Sequence, residues 1–122
     1  MEPDHKHPRG LSHVWHATQT AMAGFRAAWQ CEDAFRQEVL AALVAIPVAL
    51  LSSADKLGKT LMVASILLVL IVELLNSALE AAVDHTSLER HPLAKRAKDI
   101  ASAAVLLSIV NAAAVWGLIL FA

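Results

Sequence analysis

The chain has 122 residues, enough for one domain and too few for two, and 57% of them are hydrophobic. Soluble domains are usually about 45–50% apolar, and the excess here falls into three runs, so we expect a lipid bilayer to be the solvent. Ten Lys and Arg residues balance eleven Asp and Glu residues without any basic block, which excludes the charge pattern of a nucleic-acid-binding protein.

The first predicted element is an amphipathic helix over about residues 11–30, preceded by a tail of about ten residues that we expect to be mobile. Side chains of one helical stripe recur at spacings of three and four: Leu11, Trp15, Thr18, Met22, Phe25 and Trp29. In a soluble protein this pattern would indicate an ordinary surface helix. The three apolar runs that follow favour a helix lying in the membrane interface, where tryptophan is well placed.

Three transmembrane helices are predicted over about residues 34–54, 60–83 and 98–121, each near the ~20 residues that a span needs. Eight of the ten Lys and Arg residues lie before or at the start of the first span, between the second and third spans, or at the start of the third. The positive-inside rule therefore predicts a cytoplasmic N-terminus and a cytoplasmic loop over residues 84–97, with the C-terminus facing outward. The expected fold class is an all-α membrane protein.

The second span carries polar residues where lipid penalises them. Glu73, Asn76, Glu80 and Asp84 follow one another at spacings of three and four, which places them on one face of a helix. A carboxylate at the bilayer centre costs about 2.5–3.5 kcal/mol on insertion scales, and such residues usually mark function. The alternative is that they only hydrogen-bond between helices and fix an oligomer.

Further charged residues are expected at the same membrane boundary. Lys98 and Asp99 open the third span, and an antiparallel hairpin would bring them close to Glu80. Glu32 and Glu38 lie where the interfacial helix enters the first span. Several carboxylates with one lysine suit Mg²⁺ and phosphate, and a buried carboxylate can accept the proton of a lipid hydroxyl as a general base.

Several sequence blocks resemble the prokaryotic diacylglycerol kinase family. The segment VELLNSALEAAVD over residues 72–84 resembles the signature of that family, and AKD over 97–99 with SAAV over 102–105 resembles a second block. Residues 25–29 and 32–38 resemble a third. The resemblance implies a homotrimer whose active sites are shared between subunits, ATP with Mg²⁺ as the donor, diacylglycerol as the acceptor and phosphatidic acid as the product.

The resemblance also implies roles for individual residues. Glu73 would be the general base, Asn76 would brace the site, and Glu32 and Glu80 would hold the metal ion. The nucleotide-binding candidates are Lys98, Asp99, Glu89, Arg90, His91, His13 and Thr20. The lipid-cleft candidates are Arg26, Trp29, Phe35, Arg36, Glu38 and Ser102. His13 and His16 stand where the family carries arginine and lysine, and a neutral imidazole attracts phosphate less than a fixed cation does.

The sequence is also compatible with other functions. An undecaprenol kinase of the same architecture has a closely similar signature. A membrane transport subunit would need a polar track across the bilayer, but between Glu73 and Thr60 the second span offers only Ser65. A purely structural or regulatory subunit is a further alternative. The chain has neither a Walker A loop nor a Gly-rich kinase loop, so phosphate binding would rest on side chains and a metal ion.

Overall fold

The computed structural model describes residues 10–86 and 92–122, and this part of the chain is all-helical. It contains α1 (Leu11–Cys31), α2 (Asp33–Leu51), α3 (Lys56–Thr86) and α4 (Pro92–Phe121). The predicted all-α fold is confirmed for these residues, and α2, α3 and α4 are long and apolar enough to cross a membrane. The expected N-terminal tail, apart from Gly10, lies outside the described residues.

The connection between α3 and α4 differs from the loop expected over residues 84–97. α3 continues to Thr86 and α4 begins at Pro92. Proline suits the first turn of a helix because its φ angle is already helical and its missing N–H would have had no intrahelical partner. Charged residues do not end a helix by themselves, so Asp84 and Lys98 are held on helical turns.

The start of α3 also lies earlier than the predicted residue 60, because Asp55 caps the helix. The backbone N–H of Gly58 donates to Asp55 Oδ1 at 2.8 Å, which satisfies one of the free N–H groups of the first turn. Gly58 itself is buried, and a Cβ there would lie 3.1 Å from Ile119 Cγ2. Glycine therefore lets the end of α4 approach the start of α3.

α3 is the central helix, packed against both α2 and α4. Its buried residues form a single stripe at spacings of three and four: Gly58, Met62, Ser65, Val69 and Glu73. This is the spacing of one helix face. The stripe therefore defines the packing face of α3, and it ends in a carboxylate.

One polar contact fixes α4 against the apolar part of this face. Trp116 Nε1 donates to the carbonyl oxygen of Met62 at 3.1 Å and to Ser65 Oγ at 3.2 Å. Ser65 Oγ in turn donates to the same carbonyl at 2.7 Å. Because lipid supplies no hydrogen-bond partners, this contact satisfies both side chains within the bundle.

α1 lies along the outside of the bundle, and Ala28 is its one buried residue. Glu32 interrupts the helix between α1 and α2 with an extended backbone conformation. Arg36 bridges the break: its guanidinium donates to the carbonyl oxygen of Trp29 at 2.8 Å and pairs with Asp33. These contacts set the direction in which α1 leaves α2.

Candidate active site

The packing face of α3 becomes polar toward its Thr86 end. Glu73 is only 4% exposed, and Asn76 and Glu80 are half-buried one and two turns further along. Asn76 Nδ2 donates to Glu80 Oε1 at 3.3 Å. Because these residues share the packing face, the predicted polar stripe is oriented into the bundle at Glu73 and becomes more accessible toward Glu80.

Two buried oxygens on this stripe lack a hydrogen-bond partner among the residues that the structure describes. They are Glu73 Oε2 and Asn76 Oδ1. A buried polar atom without a partner costs about 1–3 kcal/mol, so native proteins contain few of them. Both atoms are acceptors, and the groups that suit them are a hydroxyl donor or a cation.

Three further carboxylates lie near enough to Glu73 for their charges to act on it. The negative charges of Glu38, Glu32 and Glu80 all act on Glu73. Glu32 comes from the break between α1 and α2, Glu38 from α2, and the other two from α3. Like charges repel strongly away from water, so a positive ion would stabilise the group.

These donors fit Mg²⁺ better than they fit a softer metal. Mg²⁺ takes oxygen ligands and is usually held by one or two carboxylates together with substrate phosphates and water. Within residues 10–86 and 92–122, no three His, Cys, Asp or Glu side chains form a complete metal-binding group. A metal ion delivered with a nucleotide needs only part of its ligands from the protein.

The two nucleotide-binding candidates at the start of α4 differ in their surroundings. Lys98 Nζ lies 2.9 Å from Asp84 Oδ1 on α3, and the charge of Glu80 also acts on it. Asp99 instead pairs with Lys95 on the exposed side of α4, at 2.6 Å. The structure therefore brings Lys98 to the polar stripe and does not bring Asp99 to it.

The remaining nucleotide-binding candidates within the described residues are His13 and Thr20. Both are exposed on α1, and neither side chain makes a hydrogen bond or ion pair with another described residue. Glu89, Arg90 and His91 lie outside the described residues. Among the described nucleotide-binding candidates, Lys98 is the one that the structure brings to the α3 stripe.

The six lipid-cleft candidates differ in their surroundings. Phe35 is buried in α2, and Glu38 belongs to the carboxylate cluster. Arg36 is engaged at the end of α1. The other three are exposed: Arg26, Trp29 and Ser102.

An apolar groove with a volume of about 490 Å³ lies between α1 and α3. Its walls are mostly small or apolar, and they consist of Ala21, Gly24, Phe25, Ala27, Ala28, Cys31, Glu32, Leu74, Ser77, Ala78 and Ala81. Glu32 belongs both to this groove and to the carboxylate cluster. Small residues recur at helical spacing on both segments, and this pattern is the sequence signal for such a groove.

Fold and site together define a small helical protein. Three of its helices can cross a membrane, and carboxylates and a lysine lie toward the Thr86 end of α3. The chain belongs to the prokaryotic diacylglycerol kinase family, whose model matches residues 19–120. This match confirms the resemblance drawn from the sequence blocks, and it makes the chain a lipid kinase.

Curated relatives cover nearly the whole chain. A diacylglycerol kinase of Pseudomonas aeruginosa is 51% identical over 111 residues, which is 91% of this chain and 90% of the relative. The diacylglycerol kinase of Escherichia coli strain K12 is 44% identical over 92% of both chains. One from Helicobacter pylori is 41% identical over 93% of this chain and 89% of its own length.

Proposed function

We propose that the chain transfers the γ-phosphoryl group of ATP to the free hydroxyl of diacylglycerol, giving phosphatidic acid and ADP. The observation that carries this proposal is the buried Glu73 with an unpartnered oxygen, at the deep end of a polar stripe. A carboxylate that accepts a proton at that depth suits an alcohol that is itself embedded in lipid.

In the proposed reaction, Glu73 accepts the proton of the lipid hydroxyl while the lipid oxygen forms a bond to the γ-phosphorus. The bond between that phosphorus and the bridging oxygen breaks, and ADP leaves. Phosphoryl transfer depends mainly on positioning and charge neutralisation. Asn76 holds the Glu80 carboxylate through its 3.3 Å hydrogen bond, and Lys98 binds phosphate oxygens as a point charge.

Glu32 and Glu80 would hold Mg²⁺, which neutralises phosphate charge when it is bound. The fit rests on the hard oxygen donors of the cluster and on the repulsion among its carboxylates. Glu32 also lines the apolar groove. We therefore place the acyl chains of the substrate in the α1–α3 groove, with the hydroxyl directed toward the carboxylates.

We further propose that the protein lies in the inner membrane of a bacterial cell, as one domain with α1 at the interface. The exposed apolar side chains of α1 support this placement, because Trp15 and Trp29 are 64% and 42% exposed and tryptophan is favoured at headgroup depth. The distribution of Lys and Arg supports a cytoplasmic N-terminus, a cytoplasmic active site and an outward C-terminus.

The active form is proposed to be a homotrimer with active sites shared between subunits. Asn111 supports an assembly: it lies near the middle of the α4 span, is exposed, and its side-chain amide makes no hydrogen bond within the described residues. Lipid cannot satisfy an amide, whereas a neighbouring span can. Light scattering of the protein in detergent should give three chains per particle, and Asn111→Leu should weaken that assembly.

The test of the function is transfer of label from γ-labelled ATP to lipid by the purified protein in detergent, with diacylglycerol and undecaprenol supplied separately. We expect labelled phosphatidic acid in the presence of Mg²⁺ and none after its removal. Transfer to undecaprenol alone would replace diacylglycerol as the substrate. Transfer to neither lipid would favour a transport or structural subunit.

A further inference from the structure

The ion pair between Asp84 and Lys98 joins two helices beside the proposed active site. Asp84 lies near the end of α3, Lys98 lies near the start of α4, and their charged atoms are 2.9 Å apart. Asp84 also follows Glu80 by four residues, so the two carboxylates lie on the same face of α3. The ammonium group of Lys98 therefore lies at the Asp84 end of the polar stripe, where the charge of Glu80 also acts on it.

The Lys98 ammonium group keeps a fixed position only if another group restricts its side chain. Its ammonium group is a compact charge on a flexible four-carbon stem, unlike the rigid fork of arginine. The Lys98 side chain is 41% exposed, and α4 alone would leave it free to move among several rotamers. Asp84 restricts it to those rotamers that point back toward α3.

The same ion pair is poorly suited to a purely structural role. Asp84 is 64% exposed, and exposed ion pairs usually add little to folding stability. The α3–α4 contact is already fixed by the buried stripe and by the hydrogen bonds of Trp116. The position of the Lys98 ammonium group is therefore what the ion pair determines most directly.

We propose that Asp84 is a positioning residue that holds the Lys98 ammonium group where it meets the phosphate groups of the nucleotide. The inference rests on the proposed function, in which Lys98 binds phosphate. An ammonium group has three N–H donors. One can remain on Asp84 while the others turn to phosphate oxygens, so Asp84 acts through Lys98 without touching the substrate.

The first experiment compares Asp84→Asn and Asp84→Glu in the full-length protein by steady-state kinetics. We expect Asp84→Asn to raise the KM for ATP about tenfold while the KM for diacylglycerol and the melting temperature stay unchanged. Asp84→Glu keeps the carboxylate and should restore most of the ATP affinity. If Asp84→Asn lowered only the melting temperature and kcat, the residue would be a structural tie and the inference would be overturned.

The second experiment is a double-mutant cycle with Lys98→Met, read by displacement of a fluorescent ATP analogue without lipid. If Asp84 acts through Lys98, adding Asp84→Asn to Lys98→Met should cause no further loss of ATP affinity. Additive losses would overturn the inference. The matched control is Asp55→Asn, the same substitution at the opposite end of α3, which should leave the KM for ATP unchanged because asparagine can still cap the helix.

These outcomes are separable from failure of the proposed function. If the unchanged protein does not phosphorylate diacylglycerol, the proposed function itself fails. If it does and Asp84→Asn binds ATP normally, only the positioning role is lost.

Discussion

The packing face of α3 has two halves that differ in how well their polar groups are satisfied. In the packed half, from Gly58 to Val69, every residue of the stripe is buried, and Ser65 is hydrogen-bonded. In the polar half, from Glu73 to Asp84, two buried oxygens have no partner among the described residues. One continuous stripe on one helix therefore serves two purposes.

This difference separates stability from function along a single helix. The packed half gains from close contact and from satisfied hydrogen bonds, which in lipid must come from within the bundle. The polar half gathers like charges that oppose folding unless a cation or ligand joins them. We infer that the packed half holds the bundle together while the polar half is reserved for the nucleotide, the metal ion and the lipid hydroxyl.

The largest loss of activity without loss of stability is expected for Glu73→Gln in the polar half. Losing the proposed general base should lower kcat for diacylglycerol phosphorylation by about a hundredfold or more. The melting temperature should stay the same or rise, because an unpaired buried carboxylate is removed. Both quantities are measured on one preparation in detergent, and a variant with full activity would remove Glu73 from the mechanism.

The opposite result is expected for Met62→Ala in the packed half. Met62 has no exposed surface, and replacing a fully buried methionine by alanine typically costs about 2–5 kcal/mol. Unfolding in a denaturing detergent should show this loss, while kcat per folded molecule should stay close to that of the unchanged protein. A large fall in kcat without any loss of stability would erase the distinction between the two halves.

A smaller effect of the same kind is expected for Trp116→Phe. Phenylalanine keeps most of the packing but cannot donate to Met62 and Ser65. Hydrogen bonds between membrane helices contribute about 0.6 kcal/mol on average and up to about 1.7 kcal/mol. The same unfolding assay should detect a loss of about that size, and no loss would show that the contact is not needed to hold α4.

The sequence predicted the parts of the structure that depend on local periodicity. The polar residues from Glu73 to Asp84 were assigned to one face from spacing alone, and the structure turns that face into the bundle at Glu73. The proximity of Lys98 to this stripe followed from an antiparallel hairpin. Both inferences needed only helix geometry and the short connection between two spans.

Features that depend on the angle between helices were not predictable in this way. The α1–α3 groove exists because Glu32 interrupts the helix and Arg36 fixes the direction of α1. The periodicity of a single helix does not encode that direction. Asp99 was expected near Glu80 together with Lys98, yet it pairs with Lys95 one helical turn earlier on the exposed side of α4. The loop expected over residues 84–97 was too long, because helices extend beyond the apolar segment that spacing and hydropathy detect.

The most direct measurement locates the nucleotide relative to the two halves of α3. Mn²⁺-ATP in place of Mg²⁺-ATP broadens the NMR signals of methyl groups near the metal. In the Leu79→Met variant, labelled methionine provides one probe beside Glu80. Met62 provides a second probe, about 27 Å from Glu80 along the helix. We expect Mn²⁺-ATP to broaden the methyl signal introduced by Leu79→Met and to leave that of Met62 sharp. A broadened Met62 signal with an unaffected signal at position 79 would contradict a nucleotide site in the polar half.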